Sequence, residues 1–399
     1  MTRPEILTQK SAAWIDEHLP ALQAIRRDIH AHPELAGEEA RTAALVASQL
    51  RAYGIDTIEG IGGYGVVGVL KGLLPGARSI GLRADMDALP IVEATNLRYA
   101  SVVPGRMHAC GHDGHTAMLL GAAECLAEMR DFAGTVYFIF QPAEENLTGA
   151  AAMIADGLFE RFPCDAVFGL HNAPDLPAGR FAIRPGPMFA SVDYWSAMFR
   201  GRGGHAGEPH RSQDVVYAQA QFVTALQGIV GRSVSPIESV ALTVGFVAAG
   251  SPEAPNVIPA ELSLAGSVRC HSADARAVLG RRLQELGAAS AAAWGCSIEI
   301  DLRPGGVALV NWPEQTQSCV AAAQATVGVA NVMPDTPPIM AAEDFALMLE
   351  KRPGALIGLG AGRADGAFLP LHTPIYDFND AVIPYGVCFW VGLVRQELL

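Results

Sequence analysis

The sequence predicts an α/β protein that has a mainly parallel sheet and whose chain is interrupted by a smaller ferredoxin-like domain. Two observations predict the larger domain: short apolar strands alternate with a helix, and polar residues capable of chemistry follow the strands. One observation predicts the smaller domain, namely the order β-α-β-β-α-β in the middle of the chain. The chain has 399 residues, half of them apolar, which is enough for two domains.

Three apolar runs form the predicted parallel sheet. They are ARSIGLRAD from Ala77, GTVYFIF from Gly134 and DAVFGLH from Asp165, and each ends in polar side chains. The apolar stretch from about His115 to Met129 lies between the first two runs and predicts a helix. Because ligands of such sheets bind outside the carboxyl ends of the strands, we expect the active residues at that edge.

Residues 188–302 form the predicted inserted domain. Its strands are SVDYWSAMFRGRG, SVALTVGFVAAG, AELSLAGSVRC and SIEIDLR, and its helices begin at Val215 and Ala273. Segments rich in proline and glycine flank it at residues 184–187 and 303–306, which is typical of hinges. Residues 1–187 and 303–399 then form one discontinuous domain, and the insert is expected to act as a lid or a dimerisation domain.

Composition excludes several classes of function. The 28 Lys and Arg residues face 41 Asp and Glu residues, and this net charge of −13 disfavours binding to nucleic acid. No apolar run is long enough to span a membrane, and the N-terminal residues lack the apolar core of a secretion signal. The seven cysteines have no framework spacing, as expected for free thiols in a reducing cytoplasm. We therefore expect a cytoplasmic protein that binds neither nucleic acid nor a membrane.

The densest group of metal-ligating residue types is MHACGHDGH, from Met107. Thiolate, imidazole and carboxylate groups are ligands of zinc and its first-row relatives. Cys110 and His112 can ligate together only where the chain is extended or turning, because residues i and i+2 do not share a helix face. Gly111 permits such a turn. The alternative is a buried cysteine beside core or capping histidines.

Three weaker signals accompany this group. Glu144 and Glu145 directly follow GTVYFIF, and adjacent buried carboxylates require a cation or a proton, although acids at a solvated helix N-terminus are the alternative. His171 ends the third strand and His372 follows a glycine-rich segment, where a lone histidine is more often structural. Cys110, His112, one of the two glutamates, His171 and His372 together give five ligands. Five is more than one tetrahedral site can hold, so the set indicates two ions that share a bridging ligand.

The chain also resembles a known family over nearly its whole length. The matching blocks are RRDIHAHPELAGEE from Arg26, GLRADMDALPI from Gly81, MHACGHDGHT from Met107, FQPAEE from Phe140, GLHN from Gly169, GGHAGEPH from Gly203, PNVIP from Pro255, AEDFA from Ala342 and LHTPIYDFND from Leu371. They resemble, in order, the metal-dependent aminoacylase/carboxypeptidase family, in its branch of hippurate hydrolases and auxin-conjugate (indole-acetyl-amino-acid) amidohydrolases. The resemblance implies a zinc-exopeptidase-like catalytic domain.

The resemblance implies a role for each matching residue of that domain. Cys110 would be a thiolate that bridges two divalent ions, in the place that an aspartate holds in other branches. Glu144 would be the general base that later protonates the leaving amine. The remaining ligands would be His112, Glu145, His171 and His372.

The resemblance also implies roles for three residues of the inserted domain. His205, in GGHA, is similar to the residue that stabilises the oxyanion, within its own chain or across a dimer. Asn256 is similar to a second polar contact. Arg269 resembles the cation that holds the substrate carboxylate, with an exposed charge at a strand end as the alternative.

The expected activity is hydrolysis of the amide bond of N-acyl amino acids by a water that two metal ions activate. Ligand softness favours zinc, whereas the family with this cysteine is associated with manganese, nickel or cobalt. The alternative enzyme is a dipeptidase or carboxypeptidase with the same metal site. The alternative from another class is a catalytically inactive metal- or ligand-binding protein, against which the presence of Glu144 argues. A homodimer or homotetramer is expected.

Overall fold

The computed structural model describes residues 9–399, with side chains from residue 14 onward. The first eight residues belong to the segment in which the sequence predicts no secretion signal, and they lie outside the described residues. None of the helices in the described range has both the length and the apolarity that a membrane crossing requires. The described chain divides into two compact units.

The described range contains both α-helices and β-strands, which are numbered in chain order. The α-helices are α1 (Gln9–Ala31), α2 (Ala40–Ala52), α3 (His112–Met129), α4 (Gly149–Ala155), α5 (Leu158–Arg161), α6 (Val215–Gly228), α7 (Ala273–Ala293), α8 (Pro313–Val327), α9 (Phe345–Lys351) and α10 (Ile383–Leu398). The strands are β1 (Asp56–Ile61), β2 (Gly65–Lys71), β3 (Leu74–Asp85), β4 (Ala133–Gln141), β5 (Ala166–Pro177), β6 (Phe181–Ala182), β7 (Gly186–Phe189), β8 (Ser191–Arg200), β9 (Gly204–His205), β10 (Val240–Ala249), β11 (Val257–Ile258), β12 (Glu261–Cys270), β13 (Ser297–Pro304), β14 (Leu309–Asn311), β15 (Val332–Met333) and β16 (Gly354–Gly362).

The first unit contains a large mixed sheet. This unit comprises the described residues up to Gly186, Val310–Pro337 and Glu343–Leu399. Its strand order is β1-β2-β4-β3-β5-β16-β6-β15. The central strands β4, β3, β5 and β16 run parallel, whereas β1 and β2 form an antiparallel hairpin at one edge. The predicted mainly parallel sheet is thereby confirmed, and the hairpin is an addition to it.

Helix α3 is buried on nearly all sides, which agrees with its mostly apolar residues after a polar first turn. Nearly all of its residues from His112 to Leu126 are buried, and it packs against β3 and against α1 and α10. Strand β3 buries its last seven residues, including the charged Arg83 and Asp85. Charged side chains at the carboxyl end of this sheet are therefore buried and require ion-pair or hydrogen-bond partners.

Strand β5 does not end at His171, and in this respect the sequence-based prediction is wrong. The strand continues to Pro177 because β16 runs beside it and satisfies its backbone, with Gly358 opposite His171 and Leu359 opposite Asn172. His171 consequently lies within a paired strand, which restricts its backbone more than a loop would.

The second unit has the predicted β-α-β-β-α-β order. Its antiparallel sheet has the strand order β10-β12-β8-β13, the ferredoxin-like arrangement. Helices α6 and α7 pack on this sheet through a separate apolar core, which includes Trp195, Phe199, Phe222, Leu279 and Leu283.

The second unit extends beyond the predicted residues 188–302. It comprises Pro187–Leu309 and Pro338–Ala342, and the second segment was expected in the metal-binding domain. Backbone hydrogen bonds tie this segment to the start of the unit, with Ile339 N donating to Met188 O at 2.9 Å and Ala190 N donating to Ala341 O at 2.8 Å. A short segment added from a distant part of the chain leaves no periodic pattern, so the sequence gives no sign of it.

Candidate metal centre

A tight turn at Gly111 separates Cys110 from His112. Gly111 has φ +95° and stands at the N-cap of α3, where its carbonyl accepts hydrogen bonds from Gly114 N and His115 N at 2.9 and 3.0 Å. A Cβ atom at this position would lie 2.4 Å from Asn172 Oδ1. Only glycine fits this conformation and this space. The helix therefore starts at His112, earlier than predicted, and directs that side chain from its first turn.

Glu144 and Glu145 lie in a buried turn between β4 and α4. Ala143 before them and Leu147 after them have φ of +53° and +60°, a backbone conformation that residues with a Cβ rarely adopt. Leu147 N donates to Glu144 O at 2.7 Å. Glu144 is only 6% exposed, so the alternative of a solvated helix N-terminus is wrong.

A backbone hydrogen bond brings His372 to the same place from far along the chain. His372 N donates to Ala109 O at 2.8 Å, and His372 itself has φ +60°. Its Nε2 lies 3.6 Å from Glu145 Oε2. Non-glycine residues in such strained conformations are enriched at functional sites.

The five residues predicted as metal ligands converge in the first unit. Potential ligand atoms lie within 4.8 Å of one another in two groups that share a member, and each group has the composition of a metal site. The first group is Cys110, His112 and His171, and the second is Cys110, Glu145 and His372. A further group of His112, Glu144 and Glu145 connects the proposed base to the same cluster.

Hydrogen bonds orient two of the histidines toward the cluster. His112 Nδ1 donates to Asp87 O at 2.9 Å, and its Nε2 is buried without a hydrogen-bond partner among the described residues. His171 Nδ1 donates to Asn172 O at 2.8 Å, and its Nε2 lies 3.5 Å from Cys110 Sγ. Metal-ligating histidines typically use one ring nitrogen for such a hydrogen bond and the other for the ion.

Burial changes the protonation of the cluster. Burial raises the pKa of the Cys110 thiol well above its usual range, and the nearby Glu145 adds to the increase. Burial also raises the pKa of Glu145 to about 7, although His112 opposes this change. For His171, burial lowers the pKa to about 3, so its ring is neutral. Divalent ions would compensate the charge of the thiolate and carboxylate, so this donor set fits a metal centre.

Glu144 has a different electrostatic environment from its neighbour. Burial raises the pKa of Glu144 well above its usual range, and the carboxylates of Glu343 and Asp344 raise it further. A carboxyl group with a raised pKa can accept a proton near neutral pH and return it.

A buried ion network behind the cluster was not predicted as a unit. Arg83 Nη1 donates to Asp85 Oδ2 at 2.7 Å, and Nη2 donates to Glu343 Oε1 at 3.0 Å and to Asp344 Oδ1 at 3.2 Å. Asp85 Oδ1 in turn accepts a hydrogen bond from His115 Nδ1 at 2.6 Å. The sequence signal for this network was an arginine inside an otherwise apolar strand.

The other three predicted site residues belong to the second unit. His205 and Asn256 are both exposed. His205 lies in β9, and Asn256 directly precedes β11, which pairs with β9. Ala206 N donates to Asn256 O at 3.0 Å. Arg269 lies within β12, is half-buried and donates from Nη1 to Met340 O at 2.8 Å. Arg269 is the last residue but one of β12, so it lies at a strand end as the alternative expected, but it is half-buried and not exposed.

Comparison with known proteins adds independent findings. The family model described as peptidase family M20/M25/M40 matches residues 81–396. The hippurate hydrolase of Campylobacter jejuni is 39% identical over 94% of this chain and 96% of its own. Thermostable carboxypeptidase 1 of Saccharolobus solfataricus is 35% identical over 91% of each chain. The crystal structure of Bacillus subtilis YXEP, described as a dinuclear metal binding peptidase from the M20 family, is 31% identical, covers 96% of this chain and 99% of its own, and superposes with a TM-score of 0.82.

Proposed function

The chain belongs to peptidase family M20/M25/M40, and on this basis we propose that it hydrolyses the amide bond of N-acyl amino acids. The family and the named relatives make it a metal-dependent amidohydrolase. The relative that acts on hippurate, an N-acyl amino acid, supports this class of small-molecule substrate. The observation that carries the proposal is the convergence of the five ligand-type side chains next to Glu144.

Two divalent ions are the proposed cofactors, with manganese, zinc, nickel and cobalt as candidates. Cys110 belongs to both groups of ligand atoms, which supports a bridging position for its thiolate. The other proposed ligands are His112, Glu145, His171 and His372. When bound, the ions would supply Lewis acidity to the substrate carbonyl and to the attacking water.

Glu144 is the proposed general base. Its carboxylate would take a proton from the attacking water, hold it on an Oε atom and deliver it to the leaving amine. Its raised pKa supports this dual role, because a carboxyl group of ordinary pKa would be a poor acid at neutral pH. Its burial would also keep bulk water away from the proton.

The second unit is the proposed lid and dimerisation domain. We assign His205 to stabilisation of the oxyanion, in its own chain or across a homodimer or homotetramer, and Asn256 to a second polar contact. Arg269 would bind the substrate carboxylate, because the N–H groups of a guanidinium match the geometry of a carboxylate. The free cysteines among the described residues support a cytoplasmic location.

Carboxypeptidase or dipeptidase activity is the second candidate, because a relative of similar identity is named a carboxypeptidase. Metal-stripped protein should be assayed after addition of each of the four metals in turn. The substrates should be N-acetyl, N-benzoyl and indole-acyl amino acids, with dipeptides compared at the same concentrations. We expect the highest kcat/KM on an N-acyl amino acid. Preference for dipeptides would favour the second candidate, and no turnover with any metal would favour a binding protein.

Glu144→Gln and its neighbour Glu145→Gln form a matched pair that tests the division of roles. Glu144→Gln should keep two ions and lower kcat by at least about a hundredfold, the scale of a lost general base. Glu145→Gln should lower metal affinity first. If both variants lose metal equally and keep kcat per bound ion, the assignment is wrong.

A further inference from the structure

Two buried carboxylates, those of Glu39 and Asp87, accept hydrogen bonds from the backbone of the turn that carries Glu144 and Glu145. Glu39 Oε1 accepts a hydrogen bond from Ala143 N at 2.8 Å, on one side of the pair. Asp87 Oδ2 accepts a hydrogen bond from Glu145 N at 2.9 Å, on the other side. The two neighbours are thus fixed by different groups from different parts of the chain.

The turn needs such a hydrogen bond at Ala143. This residue has φ +53°, a conformation that is unfavourable for any residue with a Cβ. Its side chain is a methyl group and can make no hydrogen bond that would fix it. Its N–H is buried with the residue, and Glu39 provides the acceptor. The conformation of Ala143 sets the direction in which the chain enters Glu144.

Glu39 is not used for the purpose that its position in the chain suggests. It stands at the N-cap of α2, yet its side chain makes no capping hydrogen bond. Glu34 fills that role, accepting from Arg41 N at 2.9 Å and from Thr42 N at 2.7 Å. Glu39 is instead fully buried, with Oε1 shared between Gly37 N and Ala143 N and with Oε2 lacking a hydrogen-bond partner in the described part of the chain.

We propose that Glu39 is a positioning residue that holds the Ala143 turn and thereby aims the carboxylate of Glu144. The proposal rests on the assignment of Glu144 as the general base. It gives a task to the last residue of the N-terminal block RRDIHAHPELAGEE. Because Asp87 separately holds Glu145 and accepts from His112, loss of Glu39 should disturb the base more than the metal ligands.

The experiment compares Glu39→Ala, Glu39→Gln and the control Glu34→Ala in the metal-loaded enzyme. Glu39→Ala should lower kcat about tenfold to a hundredfold, the effect of a small misplacement of a catalytic group, with KM and the content of two ions unchanged. Glu39→Gln should stay within about threefold of the parent, because its amide oxygen can still accept from Ala143 N. Glu34→Ala should lower thermal stability through the lost cap but leave kcat unchanged.

Three results would overturn the proposal. They are an equal fall of kcat in Glu39→Ala and Glu34→Ala, an equal fall in Glu39→Gln and Glu39→Ala, and a loss of bound metal in proportion to kcat. If Glu39→Ala does not fold, Glu39→Asp replaces it, because the shorter carboxylate keeps the charge but not the reach to Ala143. It should show the same fall in kcat.

A double variant separates this inference from the proposed function. Glu39→Ala in the Glu144→Gln background should cause no further loss of kcat, since no base remains to be aimed. A Glu144→Gln variant with unchanged kcat would remove the base and this inference together. A Glu144→Gln variant with the expected loss, beside a Glu39→Ala variant that behaves like Glu34→Ala, would overturn the inference alone.

Discussion

Replacing Gly111 with alanine tests whether the turn between Cys110 and His112 builds the metal centre. The φ of +95° is a left-handed conformation, which costs an alanine about 1–2 kcal/mol. The added Cβ would lie 2.4 Å from Asn172 Oδ1 and 2.7 Å from Tyr376 OH. These side chains are hydrogen-bonded to each other at 2.8 Å, and Asn172 Oδ1 lies 2.6 Å from His115 Nε2.

Displacing them would disrupt two buried hydrogen bonds at about 1 kcal/mol each. The expected loss in the free energy of unfolding is therefore about 3–4 kcal/mol. Gly105→Ala is the matched control, because Gly105 has φ +79° but no atom within 4 Å of the added Cβ, so only about 1–2 kcal/mol is expected. Urea unfolding of the metal-free proteins would measure both losses.

Metal binding provides the second measurement. Gly111→Ala should weaken binding of both ions, since the turn directs two proposed ligands, while Gly105→Ala should keep the parental affinity. Equal stability losses in the two variants would refute the reasoning from the close contact. Unchanged metal affinity in Gly111→Ala would refute the link between the turn and the metal centre.

Three further predictions concern the ligands and the second unit. Cys110→Ala should prevent tight binding of two ions and Cys110→Asp should retain more metal, because a carboxylate can also bridge; two tightly bound ions in Cys110→Ala by metal analysis would contradict the bridge. Metal affinity, measured by titration, should fall as the pH drops through about 7, where burial places the pKa of Glu145 and protons compete with the ions; a flat profile would contradict this. His205→Ala should keep its metal and raise the barrier to kcat by about 2.7–4 kcal/mol, and mixing it with Glu144→Gln protein should restore activity if His205 acts across a dimer. No recovery despite confirmed subunit exchange would place His205 in its own chain's site or outside catalysis.

The sequence was informative where the chemistry is local. Cys110 and His112 flank one glycine, and Glu144 directly precedes Glu145, so their types and spacing predict a metal centre before any fold is known. The mainly parallel sheet and the β-α-β-β-α-β order could also be predicted, because apolar periodicity records which face of each element is buried.

Features that depend on distant partners could not be predicted in the same way. Strand β5 extends past His171 because β16 lies beside it, and the local sequence does not reveal which strand will be its neighbour. The task of Glu39 depends on the N–H of Ala143, which lies 104 residues away. A contact over this distance in sequence leaves no signal in the local composition of either segment, so the sequence does not predict it.

The hydrogen bond from His372 N to Ala109 O has a consequence for biosynthesis. A chain emerging from the ribosome exposes Cys110, His112, Glu145 and His171 well before His372 is made. Two of the acids that neutralise Arg83, Glu343 and Asp344, are also made late, 260 residues or more after it. For most of its synthesis the nascent chain thus lacks one of the proposed ligands and two of the three acids that pair with Arg83 in the folded protein. With His372 as a proposed ligand, the proposed set is complete only when the C-terminal segment folds back onto the sheet, so metal loading would be a late event in the maturation of the enzyme.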